Sequence, residues 1–325
     1  MPVIELVGLR KEYQRGRTVA IAGLDLDVPD GGVFGFLGPN GSGKTTTIRC
    51  ILGLVRPTGG RATMLGAEVP RDLARIKGDV GSIVETPALF PSFSGRRNLE
   101  LLGRLEGIGP KRVAAILERV GLGGREDDHV RAYSLGMRQR LGLAAALLKD
   151  PALMILDEPA NGLDPAGIKE FRDLIRSLGA EGRTVFVSSH LLGEVQHMCD
   201  RVAIIARGRL VTQGSVADVL SLGHPARLLV RVPDPGAATA VLGRSGIVAS
   251  AYDPVTDLLY VDLPPDAGAR VTEVLARDGV YLSELRTEEV DLETVFLELT
   301  EGTPDTPDAY GAHRAPDDPH MPETP

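Results

Sequence analysis

Nine consecutive residues, Gly38-Pro39-Asn40-Gly41-Ser42-Gly43-Lys44-Thr45-Thr46, set two glycines around four intervening positions and follow them with Lys and Thr. This is the pattern of a loop that cradles phosphates, and its meaning depends on a strand before it and a helix after it. Both are expected here: Gly32 to Leu37 reads as a short buried strand, and Thr46 to Leu52 as a helix with an apolar face. Glycines let successive backbone N–H groups converge on one concavity, and the start of the helix adds its positive dipole end. Lys44 then supplies a point charge to the terminal phosphates, and the Thr45 hydroxyl is placed to ligate Mg²⁺. A nucleoside triphosphate is the ligand such a loop predicts.

A second chemical element is the run Leu153-Met154-Ile155-Leu156-Asp157-Glu158, an apolar strand that ends in two acids. Such a strand fixes itself in a sheet and delivers its carboxylates beside the phosphates. Asp157 would hold Mg²⁺ through water, and Glu158 would polarise the attacking water as general base, a role worth about 10² to 10⁴ in rate. The same pair is also compatible with capping a strand-to-loop junction.

The surrounding chain has to position these groups. Short alternating pieces from Val3 to about Gly32 read as antiparallel strands. Ser94 to Lys149 has helical periodicity, with Leu99, Leu102 and Leu105, then Val113, Ile116, Leu117 and Val120, then Leu141, Ala144, Ala145 and Leu148 on apolar faces. Buried-strand runs follow at Leu153 to Leu156, Val185 to Ser188 and Val202 to Ala206, separated by helical Pro165 to Leu178 and Leu191 to Met198. Strands that alternate with helices and are apolar on both faces imply a mostly parallel, covered sheet, hence an α/β fold. Beyond Leu222 the character changes to a small α+β appendage. Strands are expected there at Leu228 to Val232, Val248 to Tyr252, Leu258 to Leu263 and Val280 to Leu285, with helices at Gly236 to Leu242 and Ala267 to Arg277. Residues 301–325 repeat Pro, Asp, Thr and His without apolar periodicity and read as a disordered acidic tail.

Composition narrows the class. The chain has 325 residues, 43% hydrophobic and 25% charged, which suits one large or two smaller globular domains. Net charge is −8, with Asp305, Asp308, Asp317, Asp318 and Glu323 against Arg314 between Gly302 and Pro325. An acidic chain without a basic stripe argues against a nucleic-acid partner. Cys50 and Cys199 lack metal-type spacing and read as buried reduced thiols of a cytosolic protein. The N-terminus is not that of a secretory signal, and no apolar run reaches membrane-span length.

Taken together, Tyr13, the phosphate loop, Tyr133-Ser134-Leu135-Gly136-Met137-Arg138-Gln139-Arg140, the acidic strand, Asn161-Gly162-Leu163-Asp164 and Ser188-Ser189-His190 resemble the ATPase subunit of an ATP-binding cassette (ABC) transporter. The resemblance covers residues 1 to about 222, a phosphate-loop ATPase domain with an antiparallel β-subdomain and a helical subdomain near 88–150. Its discriminating element is the signature segment at Ser134 to Arg140. The appendage at 223–300, ending Val290 to Thr300, is similar to the C-terminal extension of bacterial drug and bacteriocin exporters. The resemblance implies that Tyr13 stacks on adenine and that His190 holds the γ-phosphate and attacking water. It implies that Ser134 and Gly136 meet the γ-phosphate bound by a second ATPase subunit, with Asp164 at the seam between the two.

It further implies ATP and Mg²⁺ as ligands, an integral membrane permease as partner, and a peripheral place on the cytoplasmic face of the membrane. In the block Gly38 to Thr46, every residue belongs to the nucleotide site. Two departures stand out. Leu135 and Met137 occupy positions where the commonest signature has glycine and glutamine, a form similar to that of peptide-antibiotic exporters. Glu85 stands where the family usually has a glutamine that touches Mg²⁺, and a carboxylate there would bind the cation but repel the triphosphate. Two rival classes fit less well. A soluble cassette ATPase acting on ribosomes or DNA would be expected to carry two cassettes or long heptad coiled coils, and a regulatory GTPase an Asn-Lys-x-Asp segment.

Overall fold

The computed structural model describes residues 1–85, 87–223, 227–288 and 290–301. Two long antiparallel strands open the chain, β1 (Ile4–Tyr13) and β2 (Thr18–Val28), and β3 (Gly32–Leu37) then enters a central sheet. After the glycine-rich loop, α1 (Lys44–Ile51) leads to β4 (Gly59–Met64) and β5 (Ala67–Val69), which complete a first antiparallel sheet in the order β2-β1-β4-β5. The helix starts two residues before the Thr46 expected from sequence, because Gly43 already serves as its N-cap.

A short α2 (Leu73–Ile76) and β6 (Val80–Ile83) precede three helices, α3 (Gly95–Leu105), α4 (Pro110–Arg119) and α5 (Leu135–Leu147). Their apolar faces are buried as the periodicity requires, except that Leu105 at the end of α3 is 81% exposed. Then come β7 (Leu153–Asp157), α6 (Pro165–Ala180), β8 (Thr184–Ser189), α7 (Leu192–Gln196), β9 (Arg201–Ala206), β10 (Arg209–Ser215) and α8 (Val216–Leu220). The central sheet runs β10-β9-β3-β8-β7-β6, parallel throughout except for the antiparallel pair of β10 with β9.

Side chains alternate across a strand, and here the alternation separates two cores. Met154, Leu156, Val185 and Val187 point into the core shared with the helices, whereas Leu153, Ile155 and Phe186 point into the core under the first sheet. Phe34 stacks on its register partner Phe186 at 5.9 Å between ring centroids, packing the side-by-side strands β3 and β8 on one face of the sheet. A sheet buried on both faces accounts for the uninterrupted apolar runs in β7 and β8.

The appendage comprises β11 (Leu228–Arg231), α9 (Pro235–Arg244), β12 (Ala249–Asp253), β13 (Leu258–Val261), α10 (Gly268–Arg277) and β14 (Glu284–Thr287). Its antiparallel sheet has the order β12-β13-β11-β14, and its own core joins Leu228, Val230, Val261, Leu242, Val271 and Leu275. The last strand lies later than the Val280 to Leu285 expected from sequence. Val280 and Leu282 pack on this core without pairing, while pairing to β11 begins at Glu284.

The final helix, α11 (Leu292–Glu301), leaves the appendage and returns to the main body. Leu292 and Val295 are fully buried there in the core that also contains Leu192 and Val219, each such burial contributing about 1.5–3 kcal/mol. The backbone of Leu292 donates to Gln196 Oε1 at 3.2 Å. Apart from residue 301, the acidic tail lies outside the described residues.

Candidate functional site

The glycine-rich loop is pressed against two strands. Gly43 has φ +107°, and a Cβ there would lie 2.5 Å from the Ala20 carbonyl oxygen of β2. A Cβ on Gly38 would come within 2.3 Å of the Ile205 oxygen of β9. Any larger residue at either place would force the loop off the sheet. Pro39, Asn40 and Gly41 form its exposed tip, whereas Ser42 is buried and Thr45 and Thr46 are half-buried.

Lys44 folds back over this loop. Its side chain is only 5% exposed, and Nζ donates to the Gly38 oxygen at 2.6 Å and to the Pro39 oxygen at 3.2 Å. Ser42 Oγ is buried beside it with no hydrogen-bond partner. A buried orphan hydroxyl in a concavity whose walls exclude any Cβ is what a phosphate-binding cradle requires.

The two acids at the end of β7 reach the same place. Asp157 is buried and accepts from Ser188 Oγ at 2.6 Å, and that hydroxyl in turn accepts from the Glu158 backbone N–H at 3.0 Å. Glu158 turns sharply, with φ +47°, a left-handed conformation that costs a non-glycine residue about 1 kcal/mol or more. The turn lets its carboxylate bridge two elements. Oε1 lies 3.2 Å from Lys44 Nζ, and Oε2 lies 2.8 Å from His190 Nδ1 and accepts from the His190 backbone at 3.3 Å. Lys44, Asp157, Glu158 and His190, far apart in sequence, therefore form one connected network at the carboxyl ends of β3, β7 and β8. Capping of a strand end is part of this arrangement, but does not explain the contacts with Lys44 and His190.

Other expected site residues lie elsewhere. Ser134 caps α5, its Oγ accepting from Met137 N at 3.2 Å, and is exposed. Asp164 caps α6 through Gly167 N at 3.1 Å and is exposed as well. The two segments pack on each other, since the position a Gly136 Cβ would take is 3.7 Å from Leu163. Among the described residues, no hydrogen bond or ion pair connects Ser134, Gly136 or Asp164 to residues 38–46, Asp157, Glu158 or His190. Tyr13 ends β1 with Lys11 Nζ 4.9 Å from its ring centroid. Glu85, just beyond β6, is ion-paired with Arg49 of α1 and makes no described hydrogen bond or ion pair to Thr45 or Asp157.

The donors fit Mg²⁺. It favours oxygen ligands and usually takes one or two carboxylates together with substrate phosphates rather than an all-protein cage. Thr45 and Asp157 supply a hydroxyl and a carboxylate, and no cluster of three or more His, Cys, Asp or Glu suited to a metal occurs among the described residues. The cysteines lie apart from this chemistry: both are buried and free, and burial pushes both thiols up from their ordinary range.

Ser188 enters the sequence analysis only as part of the segment leading to His190, with no role of its own. The pairing of Asp157 with Ser188 across β7 and β8 reveals its place between the two acids. Ser188→Ala would leave a buried carboxylate oxygen and the Glu158 N–H short of a partner, costing about 1–3 kcal/mol. We expect nucleotide turnover to fall about tenfold in a variant that still folds, as read from phosphate release beside a urea unfolding curve.

A family model described as ABC transporter matches residues 21–161. The chain is 40% identical over 300 residues to the uncharacterized ABC transporter ATP-binding protein YhcH of Bacillus subtilis (strain 168), covering 92% of this chain and 96% of that protein. It is 35% identical over 302 residues to the bacitracin transport ATP-binding protein BcrA of Enterococcus faecalis, covering 92% and 97%. It is 36% identical over 309 residues to the daunorubicin resistance ATP-binding protein DrrA3 of Streptomyces coeruleorubidus, covering 91% and 95%. Among solved structures it resembles cbiO1 from Clostridium perfringens, part of the ABC transporter complex cbiONQ, with a TM-score of 0.62 at 28% identity over 68% of this chain and 91% of that one.

Proposed function

This chain belongs to the ATP-binding subunits of ABC transporters, and from that premise we propose that it hydrolyses Mg-ATP at the Lys44–Glu158–His190 network to drive export of a drug, antibiotic or peptide through a separate permease. The observation that carries the catalytic assignment is Glu158, whose carboxylate spans from the phosphate-loop lysine to His190. In this reading the loop N–H groups and Lys44 bind the β- and γ-phosphates, and Tyr13 stacks on adenine. Thr45 and Asp157 would hold Mg²⁺, which would supply charge neutralisation at the phosphate oxygens. Glu158 takes a proton from water as the water oxygen bonds to the γ-phosphorus. The bond from that phosphorus to the bridging oxygen breaks, and ADP leaves with the electron pair. His190 orients Glu158 and the γ-phosphate. The strained turn at Glu158 sets the carboxylate in advance, so little reorganisation is needed when the water arrives.

The signature completes the site from outside. Ser134 and the start of α5 are exposed and make no described polar link to this chain's own loop, yet a helix start with free N–H groups suits a phosphate. A second ATPase subunit would offer the same surface to the first, with Asp164 at the seam. ATP then favours the closed pair over the open one, and hydrolysis removes that preference, which is the differential affinity needed to bias a membrane partner. Among the described residues no helix is long and apolar enough to cross a membrane. Crossing accordingly falls to the permease, with this subunit peripheral on its cytoplasmic face. Relatives named for bacitracin transport and daunorubicin resistance, aligned over nearly the whole chain, support export over import. Sedimentation of the purified protein with its permease should show ATP-dependent pairing of ATPase subunits; a persistent monomer at saturating Mg-ATP would refute the shared site.

A further inference from the structure

The ion pair between Arg49, in the last turn of α1, and Glu85, just beyond β6, has no role in the reading above, on which this inference builds. Glu85 lies two residues beyond Ile83, whose register partner in β7 is Leu156, itself two residues before Glu158. The carboxyl ends of neighbouring parallel strands thus bring three acids, Glu85, Asp157 and Glu158, to the same end of the sheet. Both Glu85 and Glu158 are in the left-handed region, at φ +61° and +47°. Of these three, only Glu158 and Asp157 have partners within the site among the described residues, Lys44 and His190 for the first and Ser188 for the second. Glu85 instead pairs with Arg49, which is carried on α1, the helix whose first residue is Lys44.

We propose that Arg49 is the dedicated counter-ion of Glu85, a positioning residue that cancels the carboxylate's charge so that an acid is tolerated beside the triphosphate. The pair is too exposed to matter much to folding, with side chains 37% and 63% accessible. Its charge matters because a triphosphate carries several negative charges and a lone carboxylate nearby repels all of them. Arg49 also ties Glu85, the second residue after β6, to the phosphate-loop helix, so Glu85 follows α1 when nucleotide engages the loop. One element thereby supplies both the cation for the phosphates and the cation that cancels the unusual acid.

The test is a charge-compensation cycle in the full-length protein, read by fluorescent ATP-analogue titration without turnover and by steady-state KM and kcat. Arg49→Gln should weaken nucleotide binding about tenfold, with the loss shrinking as salt rises, while kcat changes little. Glu85→Gln alone should tighten binding, since Arg49 then faces the phosphates uncompensated. The double variant should return to within about twofold of the parent. Wild-type binding at the parent affinity by Arg49→Gln, or a double variant as weak as Arg49→Gln, overturns the proposal. Failure of the unmodified protein to bind the analogue would instead overturn the nucleotide site itself, so the two readings fail separately.

Discussion

Glu158→Gln should abolish turnover while leaving nucleotide bound. The substitution preserves the side chain's size and removes its negative charge and its capacity to accept a proton, so the expected loss in kcat is that of a general base, about 10² to 10⁴. Binding should survive, because Lys44 keeps its contacts with the Gly38 and Pro39 carbonyls and loses only a competing carboxylate. With hydrolysis blocked, ATP can no longer discharge the closed state, and the variant should accumulate as a nucleotide-bound pair. Phosphate release and light scattering on the same preparation check both halves. Brisk hydrolysis would remove Glu158 from the role of base, whatever the oligomer does.

Lys44→Ala should fail one step earlier, at binding. Lys44 Nζ is buried, and its neighbours are two carbonyl oxygens and the Glu158 carboxylate, all of which repel phosphate when the ammonium is absent. Truncating one member of a buried, hydrogen-bonded charge pair costs about 2–5 kcal/mol, which weakens ATP roughly 30-fold to several thousand-fold. Titration with a fluorescent analogue measures it directly, and circular dichroism confirms that the variant is folded. ATP affinity within a factor of about three of the parent would show that the loop amides alone hold the phosphates. The two variants then separate binding from chemistry: one holds nucleotide without cleaving it, the other never holds it.

Where local geometry dictates residue type, the sequence was readable. Gly38 and Gly43 are obligatory because strands pass too close for a Cβ, and the acids that close β7 end an apolar strand whose tip meets Lys44 and His190. The central strands were legible because burial on both faces demands unbroken apolar runs. What stayed hidden depends on partners distant in sequence. Ser188 acquires its role only by lying opposite Asp157, and Arg49 only by meeting Glu85. In the appendage, Val280 and Leu282 look like strand residues because they are apolar, yet pairing with β11 starts at Glu284, where alternation of charge rather than apolarity marks the exposed side. Leu105 fits the helical period of α3 but falls at its open end, beyond the reach of the core.

The route of the chain around the appendage has a mechanical consequence. A Cβ on Gly223 would lie 2.9 Å from Val295 and 3.3 Å from Val290, so the point where the chain departs touches the point where it comes back. The appendage is therefore an excursion fastened at both feet, not a pendant on a single thread, and it has far less freedom to swing. Truncating the chain at its departure would remove α11 and bare the apolar patch under Leu292 and Val295, whereas shortening the excursion while keeping both feet would leave that patch covered.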